Sequence, residues 1–285
     1  MSRTHLAVGA ACLALSSLSL AAEEDATAFT SGVAARSDHS KMSITELARA
    51  YELKWADKLQ QHRANPQTAT IPSNPPDSLD PVTPADSPYE DPLVRLQQPL
   101  SASPSLSVSF EAIESQDNRD INGVTIQVPD TNGDVGLDDI VSYHNLVYEV
   151  YTKTGASRGK FTGNALFFGF GGPCEFDDFG FPGGTGDYIV LYDEGRWVYK
   201  GWAFNFGTEC IAITDGEDAL GPVTRYEFPI EGPQDNDYPK LSVWTTADGS
   251  QSAYSLTIRN FGSPREATGF LFDRDAIRAG APNPR

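Results

Sequence analysis

Positive charge is scarce in this sequence. It contains 21 Lys and Arg against 39 Asp and Glu, for a net charge of −18 and an isoelectric point near 4.5. Nucleic acids and anionic membrane surfaces are bound by clustered Lys and Arg, so the composition argues against both as partners. The excess of acid is compatible with bound cations, and it also suits the solubility of a salt-tolerant exported protein.

Long apolar runs are missing too, apart from one at the N-terminus. The segment MSRTHLAVGAACLALSSLSLAAEEDA places Arg3 before a short apolar run and small residues after it. This order predicts a secretory signal peptide over residues 1–21, cleaved after Ala21. A membrane anchor is the alternative, but the run is shorter than the roughly 20 residues needed to cross a bilayer. We therefore expect a secreted protein without a membrane span, extracellular or at the cell surface, with the periplasm as the alternative location.

Cysteine is rare, with three in the whole chain. Cys12 lies in the predicted signal peptide, which leaves Cys174 and Cys210 in the mature chain. Neither belongs to a C-x-x-C or C-x-x-H motif of the kind that zinc sites use. Two cysteines in an oxidising compartment predict one disulfide, between Cys174 and Cys210.

The chain after the signal peptide divides into four parts. Residues 22–42 are small and polar without an apolar period, which predicts disorder. Residues 43–65 predict one amphipathic helix with Ser43 and Glu46 in capping-box spacing. Residues 66–105 are rich in Pro, Ser and Asp, which is typical of an extended linker or a strap across a surface. The apolar positions of the predicted helix are Ile44, Leu47, Tyr51, Leu53 and Leu59.

Residues 106–285 predict an all-β domain. Short apolar runs alternate with Gly, Asp, Asn and Pro, and no apolar pattern of helical period lies between them. The predicted strands are SLSVSF, VTIQV, LVYEVYT, ALFFGF, YIVLYD, RWVYKGWAF, CIAIT, RYEFP, KLSVWT, AYSLTIR and GFLFDR.

An internal repeat indicates the architecture of this domain. Asp139, Asp187 and Asp237 each precede a short apolar strand, at intervals of 48 and 50 residues. The middle unit continues with three more strands, and four strands per unit of about 40–50 residues are typical of a β-propeller blade. A β-sandwich has similar strand spacing but does not predict an acid at every fourth strand. Because propellers usually have at least about four blades, three units predict a partial propeller or a truncated relative of a longer protein.

Five motifs of the β domain carry a resemblance to known proteins. They are PDTNGDVG, GDYIVLYDEGRW, TECIAITDGEDALGPVTRYEF, DYPKLSVW and GFLFDRDAI, in this order. They resemble the D-T-N-G-x-V-G, D-P-x-V-x-Y-D, R-W, C-x-A-V-S and D-Y-P-K-x-G-V-W motifs of large, poorly characterised secreted bacterial proteins. The resemblance implies an exported, propeller-like domain, commonly within larger extracellular proteins, and implies no known reaction. The chain departs from that pattern at Leu137-Asp138-Asp139 and at Tyr188.

The segment PDTNGDVGLDDIV, residues 129–141, has the oxygen spacing of a calcium loop. Asp130, Asn132, Asp134 and Asp138 occupy positions 1, 3, 5 and 9 of an EF-hand loop, but the glycine of position 6 and the acid of position 12 are missing. Two hypotheses stay open: a Ca²⁺ loop of another kind, completed by a carboxylate from elsewhere, or a tight turn at Asn132-Gly133.

The repeated acids form a second candidate site. If Asp139, Asp187 and Asp237 each begin the innermost strand of a blade, their carboxylates converge at one mouth of the central channel. A Ca²⁺ or Na⁺ ion would then relieve their mutual repulsion. The alternative is that each carboxylate accepts backbone N–H groups between strands.

A Gly-rich loop over residues 171–187 is the candidate ligand site. It carries Glu175, Asp177, Asp178 and Phe179, and acids beside aromatic rings suit a carbohydrate. A glycosidase would need two of these acids at a defined separation, which sequence adjacency does not provide.

The remaining residues of catalytic type lack a catalytic context. His144 is the single histidine of the β domain and is not part of an HExxH or GxSxG motif. Trp197, Trp202 and Trp244 lie on predicted strands and are interpreted as packing residues. Arg196 and Arg274 are expected to pair with acids of the blades.

These patterns predict a secreted, acidic, propeller-like binding or structural module, stabilised by Ca²⁺ in our hypothesis, with an extracellular glycan or protein as its partner. The alternative is an extracellular polysaccharide hydrolase or lyase that uses paired carboxylates. A pocket with two carboxylates of separated pKa values would identify the enzyme, and the residues favour the module.

Overall fold

A computed structural model describes residues 34–65, 67–69, 108–126, 129–175, 187–203, 207–230, 236–260 and 266–285. The helices are α1 (Ile44–Ala64), α2 (Ser115–Asn122) and α3 (Arg274–Arg278), with a 3-10 helix at Gly163–Phe167. The strands are β1 (Arg36–Ser43), β2 (Gln67–Ala69), β3 (Val124–Ile126), β4 (Asn132–Val135), β5 (Asp139–His144), β6 (Val147–Thr152), β7 (Ser157–Thr162), β8 (Ile189–Asp193), β9 (Arg196–Trp202), β10 (Thr208–Thr214), β11 (Pro222–Pro229), β12 (Asn236–Thr245), β13 (Ser252–Asn260) and β14 (Glu266–Asp273).

Three antiparallel sheets dominate the described residues. The first sheet has the order β4-β5-β6-β7, the middle sheet β8-β9-β10-β11-β1, and the third sheet β12-β13-β14. Each sheet is a meander in which consecutive strands pair as neighbours, and β1 adds to the free edge of β11. A short parallel pair joins β2 to β3. The prediction of a β domain is thus confirmed for the described part of residues 106–285, which is mostly strand with short helices added.

The sheets pack in series, with the middle sheet covered on both faces. Its alternate residues Val190, Trp197, Tyr199 and Ala212 join one core with the first sheet, α1 and the 3-10 helix. The intervening residues join a second core with the third sheet and α3; they are Val198, Ile211, Ile213, Tyr226 and Phe228. A strand buried on both faces is apolar throughout, which explains the run CIAIT.

The predicted N-terminal helix is α1, and its capping box is present. Ser43 Oγ accepts from the N–H of Glu46 at 3.2 Å, and the Glu46 carboxylate accepts from the N–H of Ser43 at 2.8 Å. Leu53 was predicted to belong to the apolar face, but it is 71% exposed. It lies two residues after the buried Tyr51, and a helix of 3.6 residues per turn places it on the opposite side.

Strand β1 differs from the predicted disorder of residues 22–42. Its pairing with β11 depends on backbone groups, so the side chains need no apolar alternation. Arg225 also donates to the Asp38 carboxylate at 2.8 Å through Nε. The predicted signal peptide, residues 22–33 and all of the Pro-rich segment except β2 lie outside the described residues.

The predicted strand SLSVSF at residues 105–110 is wrong at its described residues 108–110, which belong to no strand. The predicted strand ALFFGF at residues 165–170 is wrong as well. The segment forms the end of the 3-10 helix and a turn, with Gly169 at a φ of 73°. Its apolar run is buried, and periodicity cannot distinguish a short buried helix from a buried strand.

Helix α2 was not predicted, since its sequence SQDNRDIN has no apolar stripe. Asp117 caps it by accepting from the N–H of Glu114 at 2.9 Å, and Gly123 ends it at a φ of 71°. A Cβ on Gly123 would lie 2.5 Å from His62 of α1, so glycine also permits the contact between the two helices. None of the described helices has the length and apolar character needed to cross a membrane.

Candidate functional site

The suspected calcium loop forms strand β4 and the approach to it. Asn132 Oδ1 accepts from the N–H of Val190, and Asp134 Oδ2 accepts from the N–H of Tyr192, each at 2.7 Å. Both donors belong to β8, the first strand of the middle sheet, so these side chains join the two sheets. The predicted tight turn at Asn132-Gly133 is wrong, because both residues are extended and Gly133 pairs with Ser142 of β5.

The other oxygens of this segment have separate surroundings. Asp130 Oδ2 accepts from Asn145 Nδ2 at 3.0 Å, whereas Asp138 is exposed. Asp134 Oδ1 accepts from the N–H of Val135 at 2.8 Å. The side chains therefore diverge from the extended backbone instead of wrapping around one point.

The repeated acids do not occupy equivalent positions. Asp139 begins β5, the second strand of the first sheet, whereas Asp187 precedes β8 and Asp237 lies in β12, the first strands of the other two sheets. The residue that corresponds to Asp187 is Asp130: each lies two residues before a first strand, with φ of 57° and 38°.

Asp139 and Asp187 lie at opposite ends of the first sheet. Asp139 pairs with Thr152 at one end of β5, while Asp187 precedes Tyr188, whose ring centroid lies 5.9 Å from that of Tyr143 near the other end. Asp139 and Asp187 therefore do not converge at one mouth of a channel, as the sequence predicted for all three repeated acids. The side chain of Asp237 lies outside the described residues.

Each of these two acids accepts a backbone N–H, as the alternative hypothesis expected. Asp187 Oδ2 accepts from Tyr238 of β12 at 3.4 Å, and Asp139 Oδ2 accepts from Ala219 at 3.1 Å. Arg158 Nη1 also lies 2.6 Å from both oxygens of Asp139 and neutralises it. In the described ranges, no group of three or more His, Cys, Asp or Glu residues is placed to hold a metal ion. Calcium binding stays a prediction.

A buried ionic cluster joins the middle sheet to the third sheet. Asp193, 4% exposed, accepts from Tyr254 Oη at 2.7 Å and from Arg274 Nε at 2.8 Å and Nη2 at 2.7 Å. Arg278 Nη1 adds a contact at 3.0 Å. Burial alone would raise the pKa of Asp193, but these hydrogen bonds and the two guanidinium charges lower it.

The two arginines that the sequence singled out have different roles. Arg274 pairs with an acid, Asp193, as predicted. Arg196 donates to the backbone carbonyl of Thr214 at 3.2 Å.

A second ion pair, Lys200 with Glu209, lies between β9 and β10 with both side chains fully buried. Burial lowers the pKa of Lys200, and the charge of Glu209 opposes that effect without cancelling it. Sequence reasoning missed this pair. Lys200 does stand among apolar and aromatic residues in the sequence of β9, whose residues are all buried or half-buried, and that apolar context was the available signal.

His144 is buried at the end of β5, and a polar cluster lies on the same sheet beneath α2. Lys160 contacts the carboxylates of Asp117 and Glu149, and Tyr151 donates to Glu149 at 2.7 Å. Burial alone would raise the pKa of Asp117, but the Glu114 N–H and the Lys160 ammonium lower it. An ammonium that contacts two carboxylates holds them in place by charge, which suits an anchor for α2.

The candidate ligand loop is only partly described. Glu175 accepts from the N–H of Gly169 at 2.8 Å and from the N–H of Gly171, so its carboxylate stabilises the turn after the 3-10 helix. Asp177, Asp178 and Phe179 lie outside the described residues. The predicted disulfide between Cys174 and Cys210 is confirmed, and it attaches this turn to β10 of the middle sheet.

The turn lies against α1 and forms what we call the helix–loop surface: Lys54, Trp55 and Lys58 of α1 with Phe168 and Glu175. The Lys54 ammonium lies 5.1 Å from the ring centroid of Trp55 and 5.2 Å from that of Phe168. Lys58 lies 4.7 Å from the Trp55 ring. Two cations thus share one half-exposed aromatic surface beside the predicted ligand loop. Sequence reasoning missed it, although K-W-x-x-K on a helix was a usable signal.

The other tryptophans are divided between packing and exposure. Trp197 and Trp202 are buried, which confirms their packing role. Trp244 is 46% exposed on the outer face of the third sheet, together with Leu271, contrary to the packing interpretation.

Comparison with known proteins assigns no family. No protein-family model matches the chain, and a search of curated proteins finds no significant match. The resemblance indicated by the five motifs stays a prediction.

Proposed function

We propose that the protein is an exported, propeller-like binding module for an extracellular glycan or protein. The observation that carries this proposal is the serial packing of three antiparallel meanders with their first strands side by side. Hydrogen bonds run from β4 to β8 and from Asp187, just before β8, to β12. Blades of a propeller pack in this manner around an axis, so the geometry supports a propeller-like arrangement, in which Asp130 rather than Asp139 is the equivalent of Asp187.

Export is the second part of the proposal. The order of charge, apolar run and small residues at 1–21 supports a signal peptide, and the Cys174–Cys210 disulfide suits an oxidising compartment. The motif resemblance to secreted bacterial proteins adds to this part of the proposal.

Binding is favoured over catalysis by the surroundings of the acids. A hydrolase needs one carboxyl group that stays protonated and one that is ionised. Asp139 and Asp193 are instead paired with Arg, and Glu175 accepts backbone N–H groups. The helix–loop surface has the exposed aromatic and cationic groups of a binding site.

The test is a glycan array probed with the chain from residue 22, followed by a reducing-end assay on every glycan that binds. Binding without release of new reducing ends is the expected result. Release of products would replace the module by the hydrolase or lyase alternative. A flat array would overturn glycan binding and leave a structural role.

Calcium stabilisation is tested separately by thermal unfolding. Because a bound ion stabilises the folded state by mass action, millimolar Ca²⁺ is expected to raise the Tm, and Mg²⁺ at equal ionic strength is the control. An equal response to both ions, or to neither, would remove calcium from the proposal.

A further inference from the structure

We propose that the helix–loop surface binds the carboxylates of an acidic polysaccharide, with Lys54 and Lys58 as the anion-binding groups and Trp55 and Phe168 as the sugar-contacting rings. The inference rests on the proposed function and adds the location of the site and the class of glycan.

The first argument is preorganisation. The Lys54 ammonium is held between two rings, at 5.1 Å from Trp55 and 5.2 Å from Phe168. Phe168 is itself fixed by an edge contact with Tyr51, at a centroid distance of 6.1 Å. Binding normally costs a lysine much of its side-chain entropy. Because the cation–π contacts already restrict Lys54 in the free protein, this cost is smaller when a carboxylate binds.

The second argument is charge complementarity. Helix α1 carries four Lys or Arg against three Asp or Glu, in a chain with a net charge of −18. Lys58 forms no ion pair with any residue in the described part of the chain. The acid nearest to Lys54 is Glu175, at 4.0 Å, and its oxygens already accept two backbone N–H groups. An anionic group can therefore bind Lys58 without displacing an ion pair, and at Lys54 it competes only with the 4.0 Å contact to Glu175.

The third argument selects a sugar acid among anions. Trp55 and Phe168 are half-exposed, and aromatic faces of this kind receive the apolar faces of sugar rings. Nucleic acids and densely sulfated chains carry more negative charge, which the acidic remainder of the protein repels over the Debye length of about 10 Å. A uronate chain has one carboxylate per sugar ring and thus a low charge density. Its carboxylates can contact the lysines, and its sugar rings can contact Trp55 and Phe168.

The experiment is calorimetric titration of the chain from residue 22 with oligogalacturonate and with its fully methyl-esterified form, which is neutral. We expect the acid form to bind and the ester to bind at least about tenfold more weakly. The double variant Lys54→Gln/Lys58→Gln should lose about tenfold in affinity for the acid, consistent with two exposed ion pairs. The matched control is Lys41→Gln/Arg49→Gln, which removes the same charge from exposed positions outside this surface. Thermal unfolding of each variant verifies that it is folded.

The outcomes separate the two proposals. Equal binding of ester and acid, or equal loss of affinity in both double variants, would overturn the carboxylate site and leave glycan binding in place. Binding of neutral glycans on the array without binding of the acid would do the same. Absence of binding to every glycan would overturn both the carboxylate site and glycan binding, and tighter binding of a sulfated glycan would replace the carboxylate by sulfate.

Discussion

At the scale of single residues, the buried acids of the described part of the chain accept hydrogen bonds from other parts of the protein. Asp193 shows this most fully, since its carboxylate receives a tyrosine hydroxyl and two guanidinium groups while almost fully buried. Burial of a charge is costly unless the charge is paired and hydrogen-bonded. The three donors therefore add a paired charge to the apolar core that joins the middle and third sheets.

Asp193→Asn is expected to lower the free energy of unfolding by about 3 kcal/mol, because it leaves Arg274 buried without its main counter-charge. Urea unfolding measures the difference. Glu194→Gln is the matched control: Glu194 also contacts Arg274, but its side chain is 74% exposed. Such an exposed pair contributes about 0–1 kcal/mol, and an equal effect of both variants would contradict the importance assigned to burial.

The lowered pKa of Asp193 predicts that the stability of the protein depends on pH. Because this pKa is lowered in the folded state, the contribution of Asp193 to stability is complete above the unfolded value of about 3.9 and is lost as the pH falls through the folded value. The stability difference between wild type and Asp193→Asn should accordingly shrink below about pH 4. A difference that stayed constant from pH 7 to pH 3 would contradict this assignment.

The Lys200–Glu209 pair gives an independent test. Lys200→Met should lower the free energy of unfolding by about 3–5 kcal/mol, because a buried carboxylate loses its partner. Adding Glu209→Met removes the second charge and should restore most of the loss. If the double variant were as unstable as the single one, packing rather than charge would explain the effect.

Sequence patterns predicted some of these residues and not their partners. Arg274 was expected to pair with an acid, but Asp193 is 81 residues away and only the packing of the sheets selects it. Asn132 and Asp134 were recognised as oxygen donors of a possible metal loop. Their acceptance of N–H groups from β8 depends on a contact between sheets that no local spacing encodes.

At the scale of elements, the turn after the 3-10 helix is held by its two ends. Arg225 donates to the carbonyl of Phe168 at 2.8 Å, and Cys174 is bonded to Cys210 of β10. Phe168, at the start of this turn, packs against Tyr51 of α1. The position of the helix–loop surface thus depends on the disulfide.

Reduction of the disulfide should lower the free energy of unfolding by about 4 kcal/mol, the chain-entropy value for a separation of 36 residues. Chemical unfolding with and without reductant measures this. The Cys174→Ala/Cys210→Ala variant serves as control, since reductant should leave it unchanged. A wild-type protein insensitive to reductant would contradict the prediction.

Elements with a strong local signal were predicted, and those that depend on distant partners were not. The capping box and buried face identified α1, and apolar runs identified most strands of the middle and third sheets. Strand β1 has polar side chains and exists because β11 offers an open edge. Helix α2 is polar and depends on its caps and on the ion pairs beneath it.

At the scale of the whole molecule, the three sheets form two cores that share the middle sheet. The first strands β4 and β8 are edge strands of their sheets, whose outward backbone groups would ordinarily face water. The side-chain oxygens of Asn132 and Asp134 instead accept hydrogen bonds from two outward N–H groups of β8. This arrangement is the physical basis for the propeller-like proposal.

The most direct test is amide hydrogen exchange at Val190 and Tyr192. Their N–H groups point away from β9, so the account predicts slow exchange in the wild type. In Asn132→Ala/Asp134→Ala, exchange at these two amides should be at least about fivefold faster, since each lost bond is worth about 1 kcal/mol. The amide of Leu191, which alternation directs toward β9, should change little. Fast exchange of Val190 and Tyr192 in the wild type, at the rate of an open sheet edge, would contradict the stacking of the sheets.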